Sequence, residues 1–342
     1  MEVIYYNIKI ARNIRRAIMR LTGKTLIKLT KGAVYYTEER GYFTPFTYSR
    51  AQIEYMKDPA YDWGWRMRAR FTGGVRLEFK TDSRHISFEY RASHSHERAN
   101  TFDLYINGVM SAVYKIGEKL KGKVEFALPE GEKLVTIYFP NESEAAIKNF
   151  TIDGSYSATK DKGKKCLILG DSITQGAGPD FASGAYVHSL CRKTGLNILA
   201  QGIGGYRYEP CDLMRVDGFE PEMIIVFLGT NYYDIEQEQR GYYYAEAVRD
   251  YYARLTELYP SVPVISVTPL WRNNEGTDMA RLLWCIDTIK AECEKYPSIK
   301  VADGFTLMPN VSECVADGIH PNAYGAEILA QNLIKFMKEN KI

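Results

Sequence analysis

Nowhere in its 342 residues does this chain hold the run of ~18 apolar residues that a membrane-spanning helix needs. The opening stretch, MEVIYYNIKIARNIRRAIMRL, is broken by charge and lacks the uninterrupted apolar centre of a secretory signal. The expectation is a cytoplasmic chain with no membrane span. Arg12, Arg15, Arg16 and Arg20 suit a solvated helix face or a strand docked on the first domain. Charge of one sign is equally scarce. The 44 basic residues nearly cancel the 42 acidic ones, leaving a formal +2, so a whole-protein electrostatic attraction to nucleic acid has no support. The six cysteines, Cys166, Cys191, Cys211, Cys285, Cys293 and Cys314, fall in the second half with no CxxC pair, which argues against both a disulfide framework and a structural zinc. Cys166 in CLIL and Cys285 in LLWCI read as small buried hydrophobes.

What is present is ordinary in amount, 45% hydrophobic and 25% charged, in a chain too long for one comfortable core. Two domains are expected. Tyrosine stands out with 26 copies in an aromatic share of 13%. Filling cores and strand edges is the expected use of such rings, and stacking on sugar the alternative.

The two halves differ in rhythm. From about residue 25 to 155, VRLEFK, HISFEYRA, TFDLYIN, KVEFAL and KLVTIYF alternate with period 2 and are rich in Val, Ile, Phe and Tyr. Thr72-Gly73-Gly74, Asn107-Gly108 and Pro129-Glu130-Gly131 punctuate them, and Asn-Gly between two alternating runs is a hairpin signal. Residues 1–155 are therefore expected to form an all-β sandwich, jelly-roll-like and open to a carbohydrate-associated role, with 156–164 as linker. From 165 to 342 the pattern becomes strand–helix alternation. CLIL, NILA, MIIVFL, VPVISV and IKVAD are short apolar runs suited to a parallel sheet covered on both faces. Val248, Tyr251, Leu255 and Leu258 repeat at helical spacing, as do Leu282, Ile286, Ile289 and Cys293, then Ala326, Leu329, Leu333 and Phe336. The fold class is α/β, a flavodoxin-like three-layer α/β/α domain after the sandwich.

In such sheets reactive groups belong at the carboxyl ends of the strands. CLILGDSITQGAG places Asp171-Ser172 there after the first strand. ADGIHPNAYGAEIL places Asp317 three residues before His320, close enough for the carboxylate to accept the imidazole Nδ1–H and leave Nε2 as base. A serine hydroxyl needs such a base, and only five histidines occur in the chain. AQGIGGYR and FLGTNYYD follow the second and third strands. The Gly205 N–H, the Asn231 amide and the Ser172 N–H could together surround a developing oxyanion.

These blocks, GDSIT, GIGG, GTN and DGIHP, resemble in content and order those of the SGNH/GDSL hydrolase superfamily. The resemblance spans roughly residues 164 to 340. It implies Ser172 as nucleophile, His320 as base, Asp317 as its orienter, and Gly205 and Asn231 as oxyanion donors. One departure is that Tyr232-Tyr233 stand between GTN and Asp234. A β-sandwich ahead of the domain is similar to two-domain carbohydrate esterases, an architectural likeness that does not settle a substrate.

Other residues are weaker candidates. Trp271 in VTPLWRNN follows the fourth strand and could wall the substrate pocket or simply pack. Tyr206, Arg207, Tyr232 and Tyr233 flank the oxyanion loops and could touch substrate. His94 and His96 form an HxH pair that reads as a polar loop, since no companion ligand cluster accompanies it. Trp63 and Trp65 alternate as in a strand, and packing is expected of them over sugar stacking. The expected function is a serine ester hydrolase, foremost a deacetylase of an acylated carbohydrate, needing no cofactor or metal. Its substrate would be a small-molecule or oligosaccharide acyl ester. A lipase, thioesterase or lysophospholipase is the enzymatic alternative, and a non-catalytic carbohydrate-binding protein the alternative of another class. The number of subunits is not legible.

Overall fold

Alternation of apolar and polar residues builds two antiparallel sheets from the first half of the chain, in a computed structural model that describes residues 17–94, 98–232 and 244–342. One sheet runs in the order Tyr35–Glu39, Tyr42–Phe46, Ala145–Ile152, His85–Ala92, Lys121–Ala127, with Met19–Arg20 also on Ala145–Ile152. The other runs Tyr156–Ala158, Arg76–Thr81, Lys133–Tyr138, Thr101–Ile106, Val109–Lys115, with Thr30–Lys31 also on Arg76–Thr81. Asn107 and Gly108 turn the last hairpin with φ of 51° and 82°, the left-handed pair that an Asn-Gly turn supplies. The sheets meet through rings. Phe88 stacks on Phe150 of its own sheet at 5.5 Å and meets Phe102 of the facing sheet edge-on at 5.2 Å.

Among the described residues three short helices interrupt the β pattern, the first of them Gly23–Leu29. Arg50–Tyr55 opens on a capping box between Ser49 and Gln52, and Trp63–Arg68 opens on Asp62, whose carboxylate accepts the Trp65 N–H at 2.8 Å. Trp63 and Trp65 therefore lie on a helix and not on a strand. A W-G-W triplet cannot distinguish the two periods, and the cap decides it. The stretch read as linker is also partly structured. Tyr156–Ala158 pairs with Arg76–Thr81, and the Lys31 ammonium then holds Thr159 O at 3.0 Å and Asp161 at 2.9 Å.

The second half forms a five-stranded, all-parallel sheet in the order Asn197–Gly202, Lys165–Gly170, Met223–Phe227, Val264–Val267, Ile299–Ala302. Counted along the chain this is 2-1-3-4-5, a doubly wound order that places a switch point beside the first strand. Successive residues of that strand face opposite layers. Cys166 and Ile168 pack with Leu190 of Tyr186–Thr194 and Leu329 and Leu333 of Ala323–Glu339. Leu167 packs with Val248, Tyr251 and Leu255 of Tyr244–Leu258 and with Cys285 and Ile289 of Met279–Cys293. Cys166, Cys285, Cys293 and Cys314 are buried and unbridged. Among the described residues no helix is long and apolar enough to cross a membrane.

The halves share a polar, buried seam. Gln201 Nε2 donates to Thr47 O at 2.9 Å and to Gln52 Oε1 at 3.0 Å, and Asn141 Nδ2 donates to Ala182 O at 2.9 Å and Gly176 O at 3.2 Å. Buried amides with this many partners fix one relative placement of the two halves.

Candidate active site

The first parallel strand ends at Gly170, where a Cβ would collide with the Thr174 side chain, so the chain can turn sharply there. Asp171 caps the following turn by accepting the Ile173 N–H at 3.0 Å, and Ser172–Gln175 form one helical turn that Gly176 closes at φ 103°. Ser172 is thus held at the tip of the strand on a short, doubly anchored turn.

A second turn faces it from the far end of the chain. Asp317 Oδ1 accepts the N–H groups of Ile319 and His320 at 3.0 and 2.9 Å, and Ala316 N–H closes the loop on His320 O at 2.8 Å. Asp317 Oδ2 lies 2.7 Å from His320 Nδ1, and His320 Nε2 lies 2.8 Å from Ser172 Oγ. With a carboxylate on Nδ1, the network assigns the proton there and leaves Nε2 to accept from the serine hydroxyl. Burial works to lower the His320 pKa, but the Asp317 hydrogen bond and charge outweigh it and the net shift is upward. Asp317 moves the opposite way. Its own partial burial resists ionisation, yet the imidazole and two backbone N–H groups hold the carboxyl well below its ordinary range. Beside them Asp171 is fully buried, and that burial raises its carboxyl to about 6.

These residues open on a cleft of about 530 Å³ whose lining includes Ser172, Gly205, Asn231, Asp317 and His320. Residues 168–328 match the GDSL-like Lipase/Acylhydrolase family. That stretch is a GDSL-like lipase/acylhydrolase domain. It makes the chain an enzyme of the ester-hydrolysing kind. Similar solved structures extend across both halves of the chain. A salicylyl-acyltransferase from a tetracycline biosynthetic pathway has 18% identity over 97% of this chain and 99% of its own, with a TM-score of 0.74. A family two carbohydrate esterase from Clostridium thermocellum has 15% identity over 79% of this chain and 93% of its own, with a TM-score of 0.61. An acetyl xylan esterase from the rumen bacterium Butyrivibrio proteoclasticus has 17% identity over 79% and 91%, with a TM-score of 0.57. No curated protein sequence matches the chain. At these identities the solved structures establish the shared fold.

The loops of the acylhydrolase domain next to Ser172 are tied to each other. Gly205 adopts φ 79°, and the next residue, Tyr206, accepts the Asn231 amide on its carbonyl at 2.9 Å. Asn231 Nδ2 reaches Asp171 Oδ2 only at 3.4 Å, so its second N–H is the one that can turn toward a bound oxygen. The Tyr206 side chain points away from the cleft. Its hydroxyl donates to Asp212 at 2.8 Å, as does that of Tyr61, while Tyr55 reaches the same carboxylate at 3.3 Å. Burial raises the Asp212 carboxyl, and the three hydroxyls work against that rise. Tyr206 therefore anchors its loop to the sandwich and does not line the cleft. Trp271 is likewise engaged elsewhere: its ring stacks on Phe305 at 3.5 Å and its Nε1 donates to Phe305 O at 3.1 Å. The Arg207 guanidinium lies 5.9 Å from the Trp65 ring centroid. His94 bonds Ser93 Oγ through Nδ1 at 2.8 Å. The Tyr232 side chain, Tyr233, Asp234 and His96 lie outside the described residues. Among those described, no group of three metal-ligating side chains occurs.

Four charged residues of the cleft were missed by the sequence reading. Arg272 follows Trp271 at the fourth strand's end, where position alone could have signalled it. It is buried and donates to Thr230 O at 3.0 Å. Arg68, Arg98 and Glu142 come from the sandwich half, and no local pattern marks them.

Proposed function

We propose that this chain is a serine esterase that removes acetyl groups from an acylated carbohydrate. The observation that carries the reading is the continuous line from Asp317 to His320 to Ser172, with links of 2.7 and 2.8 Å, at the mouth of the cleft. Ser172 Oγ attacks the ester carbonyl while His320 Nε2 takes its proton, and Asp317 steadies the imidazolium. The N–H groups of Ser172 and Gly205 and the Asn231 amide receive the negative oxygen. The tetrahedral intermediate expels the alcohol, which leaves with the proton from His320. Water then attacks the acyl-serine with His320 again as base, releasing the acid and restoring Ser172. No metal or organic cofactor enters any step.

A charged, polar cleft supports a short acyl group on a hydrophilic alcohol over a long lipid chain. The 2-1-3-4-5 order supports reading the catalytic half as flavodoxin-like, and the two facing sheets support a jelly-roll-like sandwich ahead of it. The functional units are taken as residues 1–158 and 165–342, joined by the few residues between.

Hydrolysis of p-nitrophenyl acetate, butyrate and octanoate by the native protein and Ser172→Ala tests the proposal. Acetate-selective turnover that disappears in the variant is expected, followed by acetate release from acetylated xylan or oligosaccharides. Equal turnover by both proteins would remove Ser172 from the mechanism. Preference for octanoate would move the reading to a lipase.

A further inference from the structure

The cleft holds more positive charge than hydrolysis of a neutral ester requires. Arg68, Arg98 and Arg272 all line it, against the carboxylates of Glu142 and Asp317. The arginines differ in how they are held. Arg272 is fixed by Thr230 and by Asn274 Oδ1 at 3.3 Å, and Arg98 stands 3.9 Å from the exposed Asp180. Asp317 is engaged by His320. Arg68 is the distinctive one. It ends the helix Trp63–Arg68, is half-buried, and among the described residues makes a single hydrogen bond, from Nη1 to Gly204 O at 3.2 Å. No described carboxylate pairs with it. A guanidinium carries five N–H donors in a planar fork, so most of the donors of Arg68 remain available beside the oxyanion loop.

Leaving a half-buried cation without a counter-charge costs free energy, and an anionic ligand would offset that cost through a bidentate, charge-assisted pair. The position is informative too. Arg68 Nη1 lies 4.0 Å from where a Gly205 side chain would begin, so its fork borders the space in which an ester bound at Ser172 must sit.

We propose that the substrate is an ester carrying an anionic group, in its simplest form a carboxylate a few bonds from the scissile carbonyl, and that Arg68 recognises it. The inference rests on the reading of this cleft as the ester site. The shared chemistry has two sources. The anion belongs either to the acyl group, as in a hemisuccinate ester, or to the alcohol, as in an O-acetylated uronic acid.

Both sources are tested by binding as well as turnover. Calorimetry on Ser172→Ala, which keeps the cleft but cannot cleave, compares two matched pairs. One pair is p-nitrophenyl hemisuccinate with p-nitrophenyl butyrate, and the other is the O-acetyl methyl glycoside of glucuronic acid with that of glucose. At least one anionic member should bind about tenfold or more tightly than its neutral partner, in line with a hydrogen-bonded charge pair. Adding Arg68→Met should collapse that ratio toward one, and Arg68→Lys should restore part of it. Parallel melting curves establish that each variant is folded. Equal binding of both members in both pairs would overturn the proposal. So would a ratio unchanged by Arg68→Met, or turnover of neutral and anionic esters falling by the same factor, which would make Arg68 a positioning residue for the oxyanion loop. Anion-selective binding by a protein whose native form cleaves no ester would instead defeat the esterase reading and leave the anion site standing.

Discussion

Gly178→Ala should disable the site without adding or removing any chemical group that acts on substrate. Gly178 adopts φ 110°, where an alanine is strained by about 1–2 kcal/mol. A Cβ there would sit 2.9 Å from His320 Cβ and closer still to Pro321 O. Neither neighbour is the far end of a flexible side chain, so the His320 turn itself must retreat by roughly 0.5–1 Å, a displacement of the size that costs ~10²-fold in rate. The same retreat lengthens the 2.8 Å link from His320 to Ser172. Gly108→Ala separates strain from crowding. It has a comparable φ of 82° but nothing within 4 Å of its Cβ position, and it lies in a remote hairpin turn. Measured on p-nitrophenyl acetate, kcat/KM should drop by about 10² or more in Gly178→Ala and stay at the native value in Gly108→Ala, while both melt a few degrees lower. Activity of Gly178→Ala within about threefold of native would refute the claim that this contact sets the histidine's position.

Two further expectations concern pH. In the proposed mechanism His320 must be neutral to act as base, and its pKa is raised by Asp317, so kcat/KM should fall as pH drops through that raised value; in Asp317→Asn burial is opposed only by the weaker pull of the Asp171 and Glu142 charges, so the acid limb should move to lower pH while the plateau falls by about 10³–10⁴. An acid limb that stays in place in a pH–rate profile would show that Asp317 does not set the base. His188, fully buried against Tyr138, has its pKa lowered well below the ordinary value by burial and by Arg192 and Arg76. The unfolded chain therefore binds more protons than the folded one below about pH 6.5, and stability should decline there by up to ~1.4 kcal/mol per pH unit, a slope that His188→Leu should flatten in denaturant titrations. An unchanged slope would assign the acid lability to other groups.

The parts of the fold that were legible in the sequence are those where one residue type can satisfy one geometry. Buried parallel strands are bare apolar runs, and Met223–Phe227 and Val264–Val267 are buried along their whole length. The Asn107-Gly108 turn announces itself because both positions need positive φ. Asp317 and His320 share one three-residue turn, so sequence spacing there is almost spatial spacing. Side-chain direction was not legible. Strand-end position drew attention to Trp271 and Tyr206, yet the Phe305 ring and the Asp212 carboxylate decide where those side chains go, and both partners are distant in pattern from the motifs. Trp63–Arg68 was missed because six residues are too few to display helical periodicity, and its only local mark is the Asp62 cap. The contribution of Arg68 depends on how two halves dock, which no window of sequence contains.

That docking bears on what the sandwich does for catalysis. Gly73 packs so closely on the Gln175 carbonyl that a Cβ there could not be accommodated, and Asn141 holds Gly176 O and Ala182 O through its amide. The Gln175 and Gly176 contacts fall on the turn that carries Ser172. On the other side of the cleft, Tyr61 and Tyr55 of the sandwich half share Asp212 with Tyr206, whose carbonyl holds Asn231. The serine turn and the loops of Gly205 and Asn231 are thus each braced from behind by residues 50–145, and the same half projects Arg68, Arg98 and Glu142 into the opening. A tethered binding module would meet the catalytic half through an exchangeable surface, whereas here buried amides and a glycine without room for a methyl group set the spacing. The site is a product of the seam, so substitutions within the sandwich that leave its own core intact can still reach the chemistry.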